Sequence, residues 1–281
     1  MRIDHVCIGV ADVGAAADWY QRVLGFAPRG RSSESIFLGC GGRSAHDLEL
    51  RPGSGLFHVA YRTTASGELD ERREALRRAG AATRVTEGGG LALTLPNGIG
   101  VQVFETGDES YLHATEWDAA GAAAPRELDH VTVASTDIEA MLKIAIDGLG
   151  LLVSDYQRYR DRNVGAWLRA GERHHDFAVV NHRGNGLHHL AYQVADAADL
   201  VRFADRIVRM GCRAEYGIGR HGPGSNLFLY LRDPSGNRVE LCTDMALIPP
   251  GAPARIWNGN DDRFLDVWAP YMPPATWLEI T

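Results

Sequence analysis

The stretch Leu128-Asp-His-Val-Thr-Val-Ala-Ser-Thr-Asp137 repeats, with changes, the start of the chain, Ile3-Asp-His-Val-Cys-Ile-Gly-Val-Ala-Asp12. Each copy alternates apolar residues in the manner of a short strand, and each ends at an Asp of the kind that caps a helix. We therefore predict a strand followed by a helix in both places, with the helices at about residues 15–24 and 138–146. The chain is organised as two copies of one strand–helix–strands module.

Further correspondences follow in the same order in the two halves. Leu56-Phe-His-Val-Ala-Tyr61 corresponds to Leu187-His-His-Leu-Ala-Tyr192, and each precedes a predicted amphipathic helix. Leu95-Pro-Asn-Gly98 and Asp233-Pro-Ser-Gly236 form matching turns before a last strand. The pattern predicts an α+β fold of tandem βαβββ modules that form two domains.

The predicted domain limits follow from the same repeat. We expect an N-terminal domain over residues 1–106 and a second domain over residues 126–245. A Gly- and Ala-rich segment, residues 107–125, has the composition of a linker. The remainder, residues 246–281, is rich in Pro and Trp, and we expect this tail to wrap the second domain.

The composition of the 281 residues argues against several classes of protein. A formal net charge of −7 disfavours nonspecific nucleic-acid binding, so no nucleic-acid partner is expected. No apolar run approaches the roughly 20 residues that span a bilayer, and the start lacks a signal pattern, so no membrane partner is expected. The four cysteines are scattered and form no C-x-x-C pair, which indicates a reducing compartment. We expect a cytoplasmic homo-oligomer.

The repeat also works as an internal control on the candidate metal ligands. Three predicted strands of the second half carry His130, His189 and Glu240. The first half keeps His5 and His58 at the matching places but has Gln102 where the Glu would be. Neutral Gln contributes no charge to offset the desolvation of a divalent ion, so it is a poor ligand beside a carboxylate. The first domain is therefore predicted to be non-catalytic and the second to bind the metal.

Two further positions distinguish the halves around the turn. Counting back from the turn proline gives His221 and Tyr230 in the second half, where the same count gives Thr83 and Ala92 in the first. Strand alternation turns only one member of the His188-His189 pair inward, and the match with His58 selects His189. Three other histidines have no motif around them and are expected at the surface: His46, His113 and His182.

Two imidazoles and one carboxylate from separate strands form a facial ligand set with cis positions left open. Non-haem Fe(II) oxygenases use such a set, although zinc hydrolases and Mn(II) enzymes use similar ligands. No G-x-S-x-G or P-loop motif is present, which argues against a serine hydrolase or a P-loop protein.

The long segment from Gly219 to Glu240 closely resembles the signature of type I extradiol ring-cleavage dioxygenases of the vicinal oxygen chelate superfamily. It reads Gly219-Arg-His-Gly-Pro-Gly-Ser-Asn-Leu-Phe-Leu-Tyr-Leu-Arg-Asp-Pro-Ser-Gly-Asn-Arg-Val-Glu240. Gly171-Glu-Arg-His-His-Asp-Phe-Ala-Val-Val180 and Gly186-Leu-His-His189 resemble the same family. The resemblance implies two glyoxalase/bleomycin-resistance-like domains and iron bound by the three residues His130, His189 and Glu240.

The same resemblance implies roles for four residues around the metal. His175 matches the acid–base histidine of the family, while His221 and Tyr230 match residues that support the bound substrate and oxygen. Trp167 resembles an active-site tryptophan of the homoprotocatechuate 2,3-dioxygenase branch. The chain departs from that branch at Thr132, where an Asn is expected, and the tail offers no match for the branch's carboxylate-binding arginine.

The implied activity is cleavage of a catechol ring next to its two hydroxyls, with O2, at Fe(II) or Mn(II), in aromatic compound catabolism. Two other classes stay open on the same scaffold. One is a glyoxalase-type isomerase or hydrolase, whose ligands come from both modules. The other is a small-molecule binding protein, which has no need for a complete ligand set.

Overall fold

The computed structural model describes residues 1–41, 44–105, 124–268 and 273–281. Only the last two residues of the predicted linker, 124 and 125, belong to this part of the chain, and His113 lies outside it. The described residues form two mixed β-sheets, one from each half.

The first half builds an eight-stranded sheet with two helices. Its strands are β1 (Arg2–Val10), β2 (Ala27–Arg31), β3 (Ile36–Gly39), β4 (Leu48–Pro52), β5 (Gly55–Arg62), β6 (Thr83–Val85), β7 (Leu91–Thr94) and β8 (Gly100–Phe104). Its helices are α1 (Val13–Trp19) and α2 (Glu68–Ala79). The strand order is β2-β3-β4-β1-β5-β8-β7-β6.

The second half builds a nine-stranded sheet, also with two helices. Its strands are β9 (Glu127–Ser135), β10 (Leu152–Tyr159), β11 (Arg162–Arg169), β12 (Phe177–Asn181), β13 (Gly186–Gln193), β14 (Tyr216–Arg220), β15 (Leu227–Arg232), β16 (Arg238–Thr243) and β17 (Arg255–Asn258). Its helices are α3 (Ile138–Lys143) and α4 (Ala197–Arg209). The strand order is β14-β15-β16-β13-β9-β12-β11-β10-β17.

The two strand orders become identical once β9 is matched to β1 and β13 to β5, with β17 as an extra edge strand from the tail. Each half therefore contains the βαβββ unit twice, and the two units meet along an antiparallel central pair. The predicted fold of tandem βαβββ modules is confirmed. The duplication within each half is an additional level of repetition, and it places the two histidine-bearing strands side by side.

The helices form where the sequence supplies caps and apolar spacing. Asp12 and Asp137 each accept a hydrogen bond from a backbone N–H three residues on, as N-caps do. Both helices continue into a π-helical turn, and the first ends at Gly25, which has a left-handed φ of 79°. The longest described helix, α4, has 13 residues. No helix in the described part of the chain combines the length and apolar character needed to cross a membrane.

Backbone and side-chain hydrogen bonds join the two sheets. Asn97 Nδ2 donates to the carbonyl of Ala134 in β9, at 3.2 Å. In the reverse direction, Asn237 Nδ2 donates to the carbonyl of Gly9 in β1, at 3.1 Å. Both asparagines are buried. Because unpaired buried amides are costly, these reciprocal contacts fix how the halves pack.

The tail covers one end of the second sheet. Its strand β17 pairs in parallel with β10. Its last residue, Thr281, exchanges two backbone hydrogen bonds with Leu187 at the start of β13. Between these anchors, the Trp277 ring packs against Tyr230 with ring centroids 4.9 Å apart. The expected wrapping of the second domain by the tail is therefore observed in its described residues.

Candidate metal centre and active site

The three predicted ligands come from strands that are neighbours in the sheet. His130 lies on β9, His189 on β13 and Glu240 on β16, and β13 runs between the other two. Ala191 of β13 lies opposite both His130 and Glu240 in the register. His189 is two residues before Ala191, so it shares the same face of the sheet. All three ligand side chains are buried, and Glu240 is completely inaccessible to solvent.

The ligand atoms of these residues converge on one point. His130 Nε2 and His189 Nε2 are 3.2 Å apart, and each lies 3.3 Å from Glu240 Oε2. Cis ligands at roughly 2.1 Å from an octahedral ion are about 3 Å from one another, so this spacing fits a small divalent metal. Glu240 Oε2 is also buried without a hydrogen-bond partner. A buried, unpartnered carboxylate oxygen facing two imidazoles fits a bound cation.

Two residues outside the predicted set hold the ligands in place. Asp129 Oδ1 accepts from His130 Nδ1 at 2.7 Å, and Asn226 Nδ2 donates to Glu240 Oε1 at 3.0 Å. Each contact leaves the other ligand atom, Nε2 or Oε2, directed at the common point. Burial alone would lower the pKa of His130, but the carboxylates of Glu240 and Asp129 outweigh it and raise the pKa to about 9. The site is therefore strongly attractive to a cation.

The first half confirms the predicted contrast at the carboxylate. Gln102 lies opposite Ala92 across β7 and β8, as Glu240 lies opposite Tyr230 across β15 and β16. The Nε2 atoms of His5 and His58 approach to 3.4 Å, and the residue at the place of Glu240 is the neutral Gln102. Among the described residues, groups of three metal-ligand side chains occur in the second half only.

The proposed match of Thr83 with His221 is wrong. Arg84 lies opposite Ala92, whereas Tyr216 lies opposite Tyr230, so Arg84 and Tyr216 are the corresponding residues. The hairpin of the second half is longer by six residues, and a count from the turn proline runs out of register when it crosses that loop. The extra residues carry His221 to the site.

His221 and Tyr230 form a hydrogen-bonded pair beside the metal ligands. His221 Nδ1 lies 2.6 Å from the carbonyl oxygen of Leu265, and its Nε2 lies 2.9 Å from the Tyr230 hydroxyl. Because a carbonyl only accepts, Nδ1 carries the proton and Nε2 accepts from the phenol in the neutral ring. Burial lowers the pKa of His221, and burial together with Glu240 raises the pKa of Tyr230 well above its ordinary value.

His175, predicted as the acid–base residue, lies against the candidate metal ligands. Its ring centroid is 4.2 Å from that of His130, and it is buried. Burial, reinforced by the neighbouring histidines, holds the pKa of His175 well below its ordinary value, so the ring is neutral. A neutral imidazole in a closed site is able to accept a proton and return it.

A chain of buried groups behind His175 was not found from the sequence. His174 Nδ1 lies 3.0 Å from His175 Nδ1, and His174 Nε2 lies 3.2 Å from Asp155 Oδ2 on β10. Trp257 of the tail donates to the same carboxylate oxygen at 2.6 Å. His174 and Asp155 are distant in sequence, so the only available signal was the His174-His175 doublet itself.

The metal-ligand cluster opens into a cavity of about 690 Å³. Trp167 lies in its wall, in edge-to-face contact with Phe264 at 5.1 Å between ring centroids. His188 Nε2 is turned away from the cluster and lies 3.0 Å from the carbonyl oxygen of Trp277, whereas its Nδ1 lies 2.6 Å from Nδ1 of His189. His182, expected at the surface, is half-buried and lines this cavity. The contact of His182 with the carbonyl oxygen of Leu278 in the tail, at 3.0 Å, leaves no periodic pattern in the sequence.

The chain belongs to the Glyoxalase/Bleomycin resistance protein/Dioxygenase superfamily, whose family model matches residues 2–103 and 127–241. The predicted resemblance to extradiol dioxygenases is confirmed by its relatives. It is 28% identical to a manganese-dependent 2,3-dihydroxybiphenyl 1,2-dioxygenase of Geobacillus genomosp. 3, over 98% of this chain and 95% of that protein. It is 27% identical to an iron-dependent extradiol dioxygenase of Rhodococcus jostii (strain RHA1), over 84% and 87% of the two chains.

A solved structure shares the fold. Homoprotocatechuate 2,3-dioxygenase from Brevibacterium fuscum, in complex with 3,4-dihydroxyphenylacetate, superimposes with a TM-score of 0.86 at 24% identity. The match covers all of this chain and 92% of that chain. The arrangement of two double-module domains is therefore that of an extradiol dioxygenase.

Proposed function

We propose that this protein is an extradiol dioxygenase that cleaves a catechol ring next to its two hydroxyls with O2. His130, His189 and Glu240 bind a single Fe(II) or Mn(II) ion. The observation that carries the proposal is the convergence of their three ligand atoms within 3.3 Å at the end of a cavity. Relatives that are named for iron or manganese support both choices of ion.

The ion and the surrounding side chains would contribute different parts of the chemistry. In a site held by these three residues, a divalent ion would lower the pKa of the catechol hydroxyls and would hold the ring next to O2. Tyr230 donates its own proton to His221 Nε2, so the phenol oxygen keeps lone pairs for a substrate hydroxyl. A proton leaving the substrate is able to pass along this pair. Trp167 forms a flat wall against which the ring is held.

His175 is the group placed to move a second proton. The Nδ1 atom of His175 lies within hydrogen-bonding distance, 3.0 Å, of Nδ1 of His174. Nε2 is therefore the nitrogen left to exchange a proton with the reactants. The lowered pKa of His175 keeps the ring neutral and ready to accept. Base and ligand roles are thus separated between neighbouring rings of the same site.

Neither alternative class is favoured by an observation. A glyoxalase-type site shared between modules would need an acidic ligand in the first half, where Gln102 stands. A simple binding protein would have no use for an unpartnered buried carboxylate at Glu240. The pairing of His221 with Tyr230 is likewise without a purpose in such a protein.

We further propose that the protein acts in the cytoplasm as a homo-oligomer, with domain limits as given above. All four cysteines are free, which is consistent with a reducing compartment. Light scattering on the purified protein would measure the oligomeric state. A monomer at micromolar concentration would contradict the proposed homo-oligomer.

The activity is tested by loading the protein with Fe(II) or Mn(II) without air, then adding a panel of catechols and air. We expect O2 uptake and a yellow ring-fission product. The repeat supplies a matched pair: His189→Asn is expected to abolish O2 uptake, whereas His58→Asn, at the corresponding place in the first domain, retains it. Absence of O2 uptake across the panel, at full metal loading, would refute the proposal.

A further inference from the structure

Much of the wall of the active-site cavity beyond the metal end is apolar. Trp167 and Phe264 form one side, and Trp277 with Leu278 of the tail forms another. A cavity of roughly 150 Å³ is enough to hold a benzene ring. At about 690 Å³, this cavity leaves room for a substituent larger than the ring that is cleaved.

The cavity wall carries acidic groups, and its described residues include neither Lys nor Arg. Among the described lining residues, none is Lys or Arg, while Asp261 and Asp262 both contribute. The nearest guanidinium in sequence, that of Arg263, is engaged by Asp261 through two contacts of 3.0 and 3.1 Å. Arg238 lies behind the ring of Trp277 and is buried against Glu215. Among the described residues of the wall, there is therefore no Lys or Arg to pair with an anion in the cavity.

We infer that the substrate is an uncharged catechol with a bulky apolar substituent, such as an aryl or branched alkyl group. The inference rests on the proposed ring cleavage and names the substrate class for the same site. A carboxylate on the substituent of the substrate would move from water to a largely apolar wall that offers it no cationic partner. Asp262 would also repel it. An aromatic substituent would instead meet the faces and edges of Trp167, Phe264 and Trp277.

The effect of charge is tested with a pair of substrates of nearly equal shape. The wild-type protein, loaded with Fe(II), is given 3,4-dihydroxyphenylacetate or its methyl ester. We expect kcat/KM to be at least about 100-fold higher for the ester, because the acid alone must bury an unpaired charge. Equal or better use of the acid would overturn the inference.

The effect of size is tested with 3-phenylcatechol and 3-methylcatechol. The phenyl group buries more apolar area, and we expect kcat/KM to rise at least about tenfold. A preference for the methyl compound would contradict a large apolar substituent.

Binding of all four compounds to the metal-loaded protein is also measured by calorimetry without air. If the ester and the phenyl compound bind more tightly but no compound is cleaved, the substrate class stands and the proposed ring cleavage fails. If cleavage occurs without these preferences, the ring cleavage stands and the substrate class fails.

A cation added at the cavity wall supplies an independent test. Leu278 is 73% exposed, so an Arg at this position is expected to fold normally. We expect Leu278→Arg to reduce the ester-to-acid ratio about three- to fivefold, as for one exposed ion pair, and Leu278→Gln to leave the ratio unchanged. An unchanged ratio in the Arg variant would contradict the assignment of this wall to the substituent.

Discussion

Replacing Glu240 with Gln gives the second domain the residue that the first domain has at Gln102. The change is nearly isosteric, but it removes the only negative charge from the proposed ligand set. Solvent does not reach this side chain. Replacing a group that merely supports a ligand costs 10–100-fold in metal affinity, so loss of the ligand's charge should cost at least about 100-fold.

The magnitude follows from linkage between binding and folding. At a free Mn(II) concentration 100 times the wild-type Kd, binding stabilises the protein by about 2.7 kcal/mol. For Glu240→Gln with a 100-fold weaker site, the same concentration contributes only about 0.4 kcal/mol. For a protein of this size, these values correspond to increases in Tm of roughly 5–10 °C and about 1 °C.

The assay is thermal unfolding followed by circular dichroism, with and without Mn(II). Glu215→Gln is the matched control, because it also alters a poorly exposed Glu of the second domain but one that lies away from the ligand atoms. We expect the control to melt at a lower temperature yet to keep the full metal-dependent increase. If Glu240→Gln showed the same Mn(II)-dependent increase in Tm as the wild type, the ligand assignment would be refuted, whatever the activity of the variant.

Three further changes have defined outcomes. Gly224 has a φ of 72°, and an added Cβ would lie 2.9 Å from Met245 Sδ, so Gly224→Ala should lower the unfolding free energy in urea by about 1–3 kcal/mol. His175→Gln should lower kcat by about 10²–10⁴ at unchanged metal content; an equal loss of metal would argue for a ligand. Burial alone would raise the pKa of Glu215, but hydrogen bonds from Arg238 and others lower it to about 2. Because the pKa of Glu215 is lower in the folded protein than in the unfolded chain, its contribution to the unfolding free energy is complete above pH 4.5. That contribution is lost as the pH falls towards 2. Melting curves between pH 7 and 3 should therefore converge for wild type and Glu215→Gln, and parallel curves would contradict this pKa.

The sequence predicted the parts of the site that follow from strand repetition. His130, His189 and Glu240 lie at equivalent places in repeated strands, and strands of a repeated unit return to equivalent positions in the sheet. Alternation along β13 favours His189 over His188, and His189 Nε2 lies 3.2 Å from His130 Nε2 and 3.3 Å from Glu240 Oε2. Gln102 has the same register position in the first half as Glu240 in the second, so the two domains differ there only in residue type.

What the sequence could not predict depends on loops and on contacts between distant segments. The match of Thr83 to His221 failed because hairpin length is not fixed by the strands that flank it. Asn226 reaches Glu240 from a loop with a left-handed residue before it, which has no periodic signature. Asp155 meets His174 only after β10 and β12 have been placed in one sheet.

The tail from β17 onwards stands outside the repeated units, yet it supplies Phe264, Trp277 and Leu278 to the cavity wall. The ligands and His175 all lie on or next to strands of the repeat. The tail therefore supplies much of the wall that would contact a substituent, although Trp167 comes from the repeat. The same tail also contacts the reactive side of the site, because Leu265 holds His221 and Trp257 holds Asp155. Exchange of residues 255–281 between related dioxygenases should transfer the preference among catechols while the metal affinity stays with the recipient.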